Sequence, residues 1–141
     1  MYLIINTADN ENITIILAAS TADFYVKRLA AGRRQSEKLL PLISAFLKQK
    51  KAKLKDVKGI AAVSGPGGFT SLRIGIVCAN ALAYALGVPA VGVAKSEFSD
   101  ERQLVAAAMK KLAKGKQKGI VLPFYESEPN ITKSKKRGIM S

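Results

Sequence analysis

Ser64-Gly65-Pro66-Gly67-Gly68-Phe69-Thr70-Ser71 is the stretch whose residue types offer most to chemistry. Glycines follow an apolar run and precede a long apolar segment, so a strand is expected to pass into a helix through a tight loop. Glycine permits close backbone approach. A helix N-terminus offers free N–H groups to an anion. Thr7, Gly65, Gly67, Gly68 and Thr70 are therefore candidate phosphate or nucleotide contacts. No Gly-Lys-Ser/Thr closes the loop, so it is not a Walker A motif. The alternative is a plain strand–helix turn with Thr70 or Ser71 as the N-cap.

Composition narrows the chemistry further. The 141 residues contain no His, no Trp and one Cys. A His general base, a Ser-His-Asp triad and a His-ligated zinc are thereby excluded. One Cys forms no internal disulfide and no Cys cluster. Cys78 falls in an apolar helical stretch, where a small core residue is the expected role. Neither a catalytic residue nor a metal ligand set is assigned.

Small residues recur every four positions along the same stretch, at Ser71, Gly75, Ala79 and Ala83. Such a ridge lets another element approach closely: either this chain's own sheet or first helix, or a partner helix. Arg73 and Asn80, seven apart, share another side of that helix.

These segments need a scaffold. Strands are expected at 2–7, 13–18 and 22–29, joined by short turns, which suggests an antiparallel meander. A helix is expected over 36–50, with Leu39, Leu40, Ile43, Phe46 and Leu47 on its inner face. Pro41 is tolerated in its first turns. A strand over 59–64, a helix over 71–86 that is apolar almost all round and so buried, and a strand over 88–93 follow. Ser99 or Asp100 caps a third helix to 114. A linker over 115–119, a strand over 120–124 and a basic tail at 133–137 end the chain. The tyrosines at 25, 84 and 125 read as packing residues. Residues 74–94 carry no charge, but the Gly87-Val88-Pro89 break favours a buried helix and strand over a membrane span. The order is βββαβαβα, with one more strand after it. It implies an α/β fold of the ribonuclease H-like, or actin-like ATPase (ASKHA), type: a mixed five-stranded sheet with helices on both faces.

Residues 65–75 closely resemble the GPGSFTGLRIG motif of the TsaB (YeaZ) family of tRNA threonylcarbamoyladenosine biosynthesis proteins, departing only at Gly68 and Ser71. Residues 34–41 are similar to that family's R-H-S-E-x-L-L-P, with Gln35 in place of His. Ile5-Asn6-Thr7 resembles its opening I-D-T, with Asn6 in place of Asp. Leu86-Gly87-Val88-Pro89 and Val91-Gly92-Val93 look like its next segment, and 123–132 like its P-x-Y…P-x-I-T ending.

The resemblance implies a non-catalytic scaffold that pairs with a TsaD-like transferase, is joined by a TsaE-like ATPase, and meets tRNA through the complex. The family pairs through its first two helices. The expected interface residues are therefore Arg34, Ser36, Glu37, Leu40, Ile43, Ser71, Arg73, Gly75, Ala79, Asn80 and Ala83. The same surface suits a homodimer. No cofactor is expected on the chain alone, with ATP reserved for a partner interface. Nothing resembles the opening of the family's second lobe. The expected division is an actin-like lobe over 1–96 and a reduced remnant over 97–141. Asn6 is a poorer Mg²⁺ ligand than a carboxylate, which argues against independent ATP hydrolysis. Gln35 cannot titrate.

Charge adds a partner class. Basic residues number 23 and acidic 10, a formal net charge of +13. Lysines concentrate at 48–58 and 110–118. Such a balance favours polyanions, tRNA above all, although surplus lysine also serves solubility. Aromatics are 6% and stand apart from the basic runs, so base-stacking platforms are not expected. With no targeting signal or membrane span evident, the expected setting is the cytoplasm. Two alternatives stay open beside the scaffold: a small actin-fold phosphotransferase using the glycine loop, and a free-standing basic RNA-binding module.

Overall fold

Runs of isoleucine, leucine and valine alternate across the centre of the molecule and build its sheet. A computed structural model describes residues 1–114 and Val121. The strands are β1 (Tyr2–Asn6), β2 (Asn12–Ala18), β3 (Phe24–Ala30), β4 (Gly59–Gly65) and β5 (Ala90–Ala94). The α-helices are α1 (Gln35–Gln49), α2 (Phe69–Leu86) and α3 (Glu101–Lys114). The expected linker over 115–119, strand over 120–124, tail and C-terminal motif lie outside the described residues, save Val121.

The sheet order is β3-β2-β1-β4-β5. β1, β2 and β3 form the antiparallel meander, with Ile4 opposite Ile16 and Ile16 opposite Val26. β1 pairs parallel to β4, and β4 to β5. Parallel neighbours need a crossover, and α1 and α2 provide them. This is the mixed actin-like sheet expected from the element order.

Strand side chains alternate between faces. Gly75 of α2 lies against Ile5 and Thr7, whereas Gly59 meets Tyr2 and Leu112 of α3. Ile5 and Tyr2 point to opposite faces, so α2 and α3 cover opposite sides of the sheet. Leu104, Val105, Ala108 and Leu112 of α3 belong to the one core cluster that contains Leu3, Ile16 and Val63. Helix α3, which falls within the expected reduced remnant over 97–141, thus packs into the same core as the strands.

Three local expectations are corrected. Leu42, not Leu40, completes the inner face of α1; Leu40 is 55% exposed. Thr70 and Ser71 do not cap α2, which begins at Phe69 with Gly68 as N-cap and no side-chain cap bond. Helix α2 is also not buried all round: Val77 is 62% and Tyr84 89% exposed, so Tyr84 is no packing residue, and Tyr25 is half-exposed. Apolarity without periodicity showed only that no side of α2 repels an apolar neighbour. At the start of α3, Asp100 behaves as expected, its Oδ1 accepting from the Gln103 N–H at 2.8 Å.

By length and composition, α2 is the one helix among the described residues apolar enough to cross a membrane. A core helix passes the same test, and Leu72, Ile76, Ala79 and Ala83 seal its inner side.

Candidate functional site

The end of β1 and the start of α2 are tied by one hydroxyl. Thr7 Oγ1 donates to the Ser71 carbonyl at 2.6 Å and accepts from the Gly75 N–H at 3.1 Å. In an undisturbed helix that N–H would donate to that carbonyl four residues back. The Thr7 hydroxyl stands between them, and Thr7 is 2% exposed. Gly75 is required because a Cβ there would overlap Thr7 Oγ1.

The same pattern continues through the glycine loop. A Cβ at Gly67 would stand 2.8 Å from the Ala8 carbonyl oxygen, and one at Gly68 would overlap Asn10 Oδ1. Ser71 Oγ donates to Asn10 Oδ1 at 2.8 Å and sits 3.4 Å from the Gly68 carbonyl. The Asn6 amide oxygen accepts from the Ala8 N–H at 3.0 Å. Asp9 accepts from the Glu11 N–H and the Asn12 side chain, both at 2.8 Å. The Asn12 contact, then the Glu11 contact, holds its carboxyl below the usual aspartate range.

Gln35 locks this turn from the α1 side. It is 2% exposed, and its Nε2 donates to the Asp9 and Asn12 carbonyls at 2.9 and 3.2 Å. Noting only that Gln35 cannot titrate missed this positioning role; a polar residue among helix-start signals was the available clue.

The candidate phosphate loop therefore takes a different form from the expected cradle. Thr7 is committed inside the chain. The close approaches at Gly67 and Gly68 are filled by Ala8 and Asn10, and the Asn6 amide by its own turn. Thr7 and the Asn6 amide are thus engaged within the chain, and close packing accounts for the glycines at 67 and 68. Gly65 adopts φ +120 at the end of β4, and Thr70 is exposed on the first turn of α2. Among the described residues, no group of three or more His, Cys, Asp or Glu is placed to hold a metal.

The small-residue ridge is also corrected. Ser71, Gly75, Ala79 and Ala83 are all buried, and Gly75 lies directly against Ile5 and Thr7 of this chain. They are unavailable to a partner. Ile43 is buried as well, at 3% exposure. The Asn80 side chain is engaged with Val121: its Nδ2 donates to the Val121 carbonyl at 3.1 Å and its Oδ1 accepts from the Val121 N–H at 2.9 Å. Arg73 and Asn80 do not act together.

The other side of α2 has the opposite character. A groove of about 730 Å³ runs between α1 and α2, walled by Ser36, Leu40, Ile74, Val77, Leu82 and Ala85. Cys78 lines it, and burial pushes its thiol up to about 11. Arg73 lies at one end, 5.3 Å over the Phe69 ring, a cation–π contact. Arg34 and Glu37, at the start of α1, are exposed and pair at 3.2 Å. Of the expected interface residues, Arg34, Ser36, Glu37, Leu40 and Arg73 thus reach this outer surface. Val77, Ile74, Leu82 and Ala85 were missed. Their signal was present: opposite the ridge, α2 is as apolar as on it.

The family described as "TsaD: tRNA N6-adenosine threonylcarbamoyltransferase" matches residues 28–117, well over half of the chain. Among solved structures, "YeaZ from Pseudomonas aeruginosa" superposes with a TM-score of 0.60 at 28% identity, over 67% of this chain and 44% of that one. A second, titled as an uncharacterized protein with similarity to peptidase YEAZ from Pseudomonas aeruginosa, matches with the same TM-score, identity and coverage. The chain spans 44% of the length of those structures. With the actin-like sheet and the family match over most of its helical residues, the chain belongs to the TsaD family, as a TsaB-like (YeaZ-like) member.

Proposed function

We propose that this chain takes part in tRNA N6-threonylcarbamoyladenosine biosynthesis as a non-catalytic scaffold that pairs with a TsaD-type transferase. The contact surface is the outer side of α1 and α2. One observation carries the proposal: two neighbouring helices of the core leave an apolar groove open, with Leu40 55% and Val77 62% exposed. A contiguous apolar patch of that kind marks an interaction site. Covering such side chains contributes about 25 cal/mol per Å² of apolar surface. A TsaE-type ATPase completes the assembly, which places ATP at a partner interface, and tRNA is met through the complex.

The non-catalytic reading draws on the turn chemistry. The chain has no histidine, and Asn6, Thr7 and Asn10 are engaged with their own backbone or with α2. A lone-chain homodimer would use the same groove and compete with the transferase.

Co-purification with the TsaD-type protein tests the pairing. Leu40→Glu and Val77→Glu put a carboxylate in the groove while leaving the core intact, and each is expected to weaken pairing at least about tenfold. Normal pairing by both variants would show that the groove is the wrong surface. Tight Mg²⁺-dependent ATP binding by the lone chain, measured by calorimetry, would instead support the phosphotransferase alternative.

A further inference from the structure

Beyond Leu40 and Leu82 the groove continues into a second trough of about 690 Å³ at the C-terminal end of α1. Its floor is aliphatic: Ile43, Leu47 and Leu54 join Leu40 and Leu82. Its rim is basic, with Lys48, Lys51 and Lys53 lining it and no acidic side chain among its lining residues. All three lysines are exposed. None forms a salt bridge among the described residues. The nearest carboxylate in sequence, Asp56, accepts from the Lys53 N–H at 2.9 Å. The neighbouring Lys50 is turned away, over the Tyr25 ring at 3.9 Å.

We infer that the trough selects an acidic amphipathic helix: the partner's helix lays aliphatic side chains along the floor and sets carboxylates against Lys48, Lys51 and Lys53. This rests on the pairing proposed above and adds the chemistry and direction of the partner. The wide groove beside α2 carries a single cation, Arg73, which lies over the Phe69 ring at the start of α2, so on its own it is permissive about how a helix lies in it. The cluster of three lysines in the trough is not, because a reversed helix would leave most of its carboxylates over apolar walls. Charge of this kind governs orientation, specificity and association rate more than total affinity.

Charge complementarity favours this occupant over two others. Residues 122–141 of the chain carry four basic side chains, Lys133, Lys135, Lys136 and Arg137, against Glu126 and Glu128, and a basic segment is repelled by the rim. RNA would bring phosphates, but no aromatic side chain or arginine lines the trough. Bases would have no stacking platform there.

The test measures affinity of the full chain for the TsaD-type subunit across a salt series. Wild-type pairing is expected to weaken as salt rises from 50 to 500 mM. Lys48→Glu/Lys51→Glu/Lys53→Glu is expected to weaken pairing about tenfold at low salt and to flatten or invert that dependence. Lys55→Glu/Lys58→Glu, outside the trough, should change pairing much less. Replacing the partner's facing carboxylates with lysine should restore the triple variant. Pairing that is normal in the triple variant, with the wild-type salt dependence, overturns the acidic-helix assignment and leaves the scaffold reading standing. So does a triple variant that loses only tRNA binding. No pairing by the folded wild-type chain overturns both.

Discussion

A hydroxyl inserted into a helix hydrogen bond is a demanding device, and Thr7 shows what it requires. The donor, the acceptor and the missing Cβ must coincide at Gly75, Ser71 and the end of β1. Gly75→Ala is expected to destabilise by about 1–3 kcal/mol through overpacking. Thr7→Val keeps the shape and removes the hydroxyl, which puts an apolar methyl between a buried carbonyl and a buried N–H, at a cost of about 1–3 kcal/mol. Because one contact carries both losses, the double variant should lose less than their sum; a denaturation cycle measures the shortfall. The sequence made Gly75 conspicuous but not its direction, because a four-residue repeat marks a side of a helix without saying what faces it.

Cys78 carries a second prediction at this scale. Burial disfavours its thiolate and raises its pKa to about 11. At pH 8 only about a thousandth of the thiol is ionised. Alkylation by iodoacetamide should therefore be slow at pH 8 and should rise about tenfold per pH unit until it levels off near pH 11. Since Cys78 lines the groove and is the only cysteine, bound transferase should slow it further. A rate typical of an exposed thiol at pH 8 would show that the groove wall is open there.

Among the elements, α2 was both the easiest and the hardest to read. Its existence and its end were plain: Gly87 stops it in the left-handed conformation, φ +68, and Val88 N–H donates back to the Ala83 carbonyl at 3.0 Å. That is glycine's usual role beyond a helix C-terminus. Its two sides were not separable, because small residues and larger aliphatics are both apolar, and only the sheet decides which side is covered. Helix α1 shows the converse. Its polar residues oriented it, and along its apolar stripe the difference, Leu42 in place of Leu40, is a shift of two positions at the edge. The two sides of α2 give opposite outcomes. Ala79→Leu, at a site 0% exposed, should lower the melting temperature through overpacking and reduce pairing only by way of the fold. Val77→Glu should leave the melting temperature nearly unchanged and abolish most pairing. If Ala79→Leu melts like wild type and still blocks the transferase, the ridge faces outward after all.

At the scale of the whole molecule, topology and charge were legible for different reasons. Turn clusters and short spacings between β-branched runs define a meander, and the spacing between later strands leaves room only for helical crossovers, so the sheet followed. The site did not follow, because it is made by β1, β2, α1 and α2 at once, and Gln35, Asn10 and Gly68 are far apart in sequence. Charge is additive and needs no fold to be counted. The basic residues divide between the trough rim, assigned to a protein partner, and the remaining lysines and arginines, among them Lys133, Lys135, Lys136 and Arg137. If tRNA is met by those remaining groups, its binding is a phosphate-backbone contact released by counterions, with a log–log salt slope of about 0.7–0.9 per phosphate engaged. Replacing Lys133, Lys135, Lys136 and Arg137 with serine should lower that slope for the assembled complex by up to about three, with no change in pairing measured by co-purification. The trough variant Lys48→Glu/Lys51→Glu/Lys53→Glu should do the reverse, weakening pairing while the lone chain keeps most of its residual, salt-sensitive affinity for tRNA. An unchanged slope in the serine variant would move the tRNA contact off this segment. Equal loss of tRNA binding from both variants would mean that the rim lysines serve the nucleic acid, and the separation of the two basic surfaces would fail.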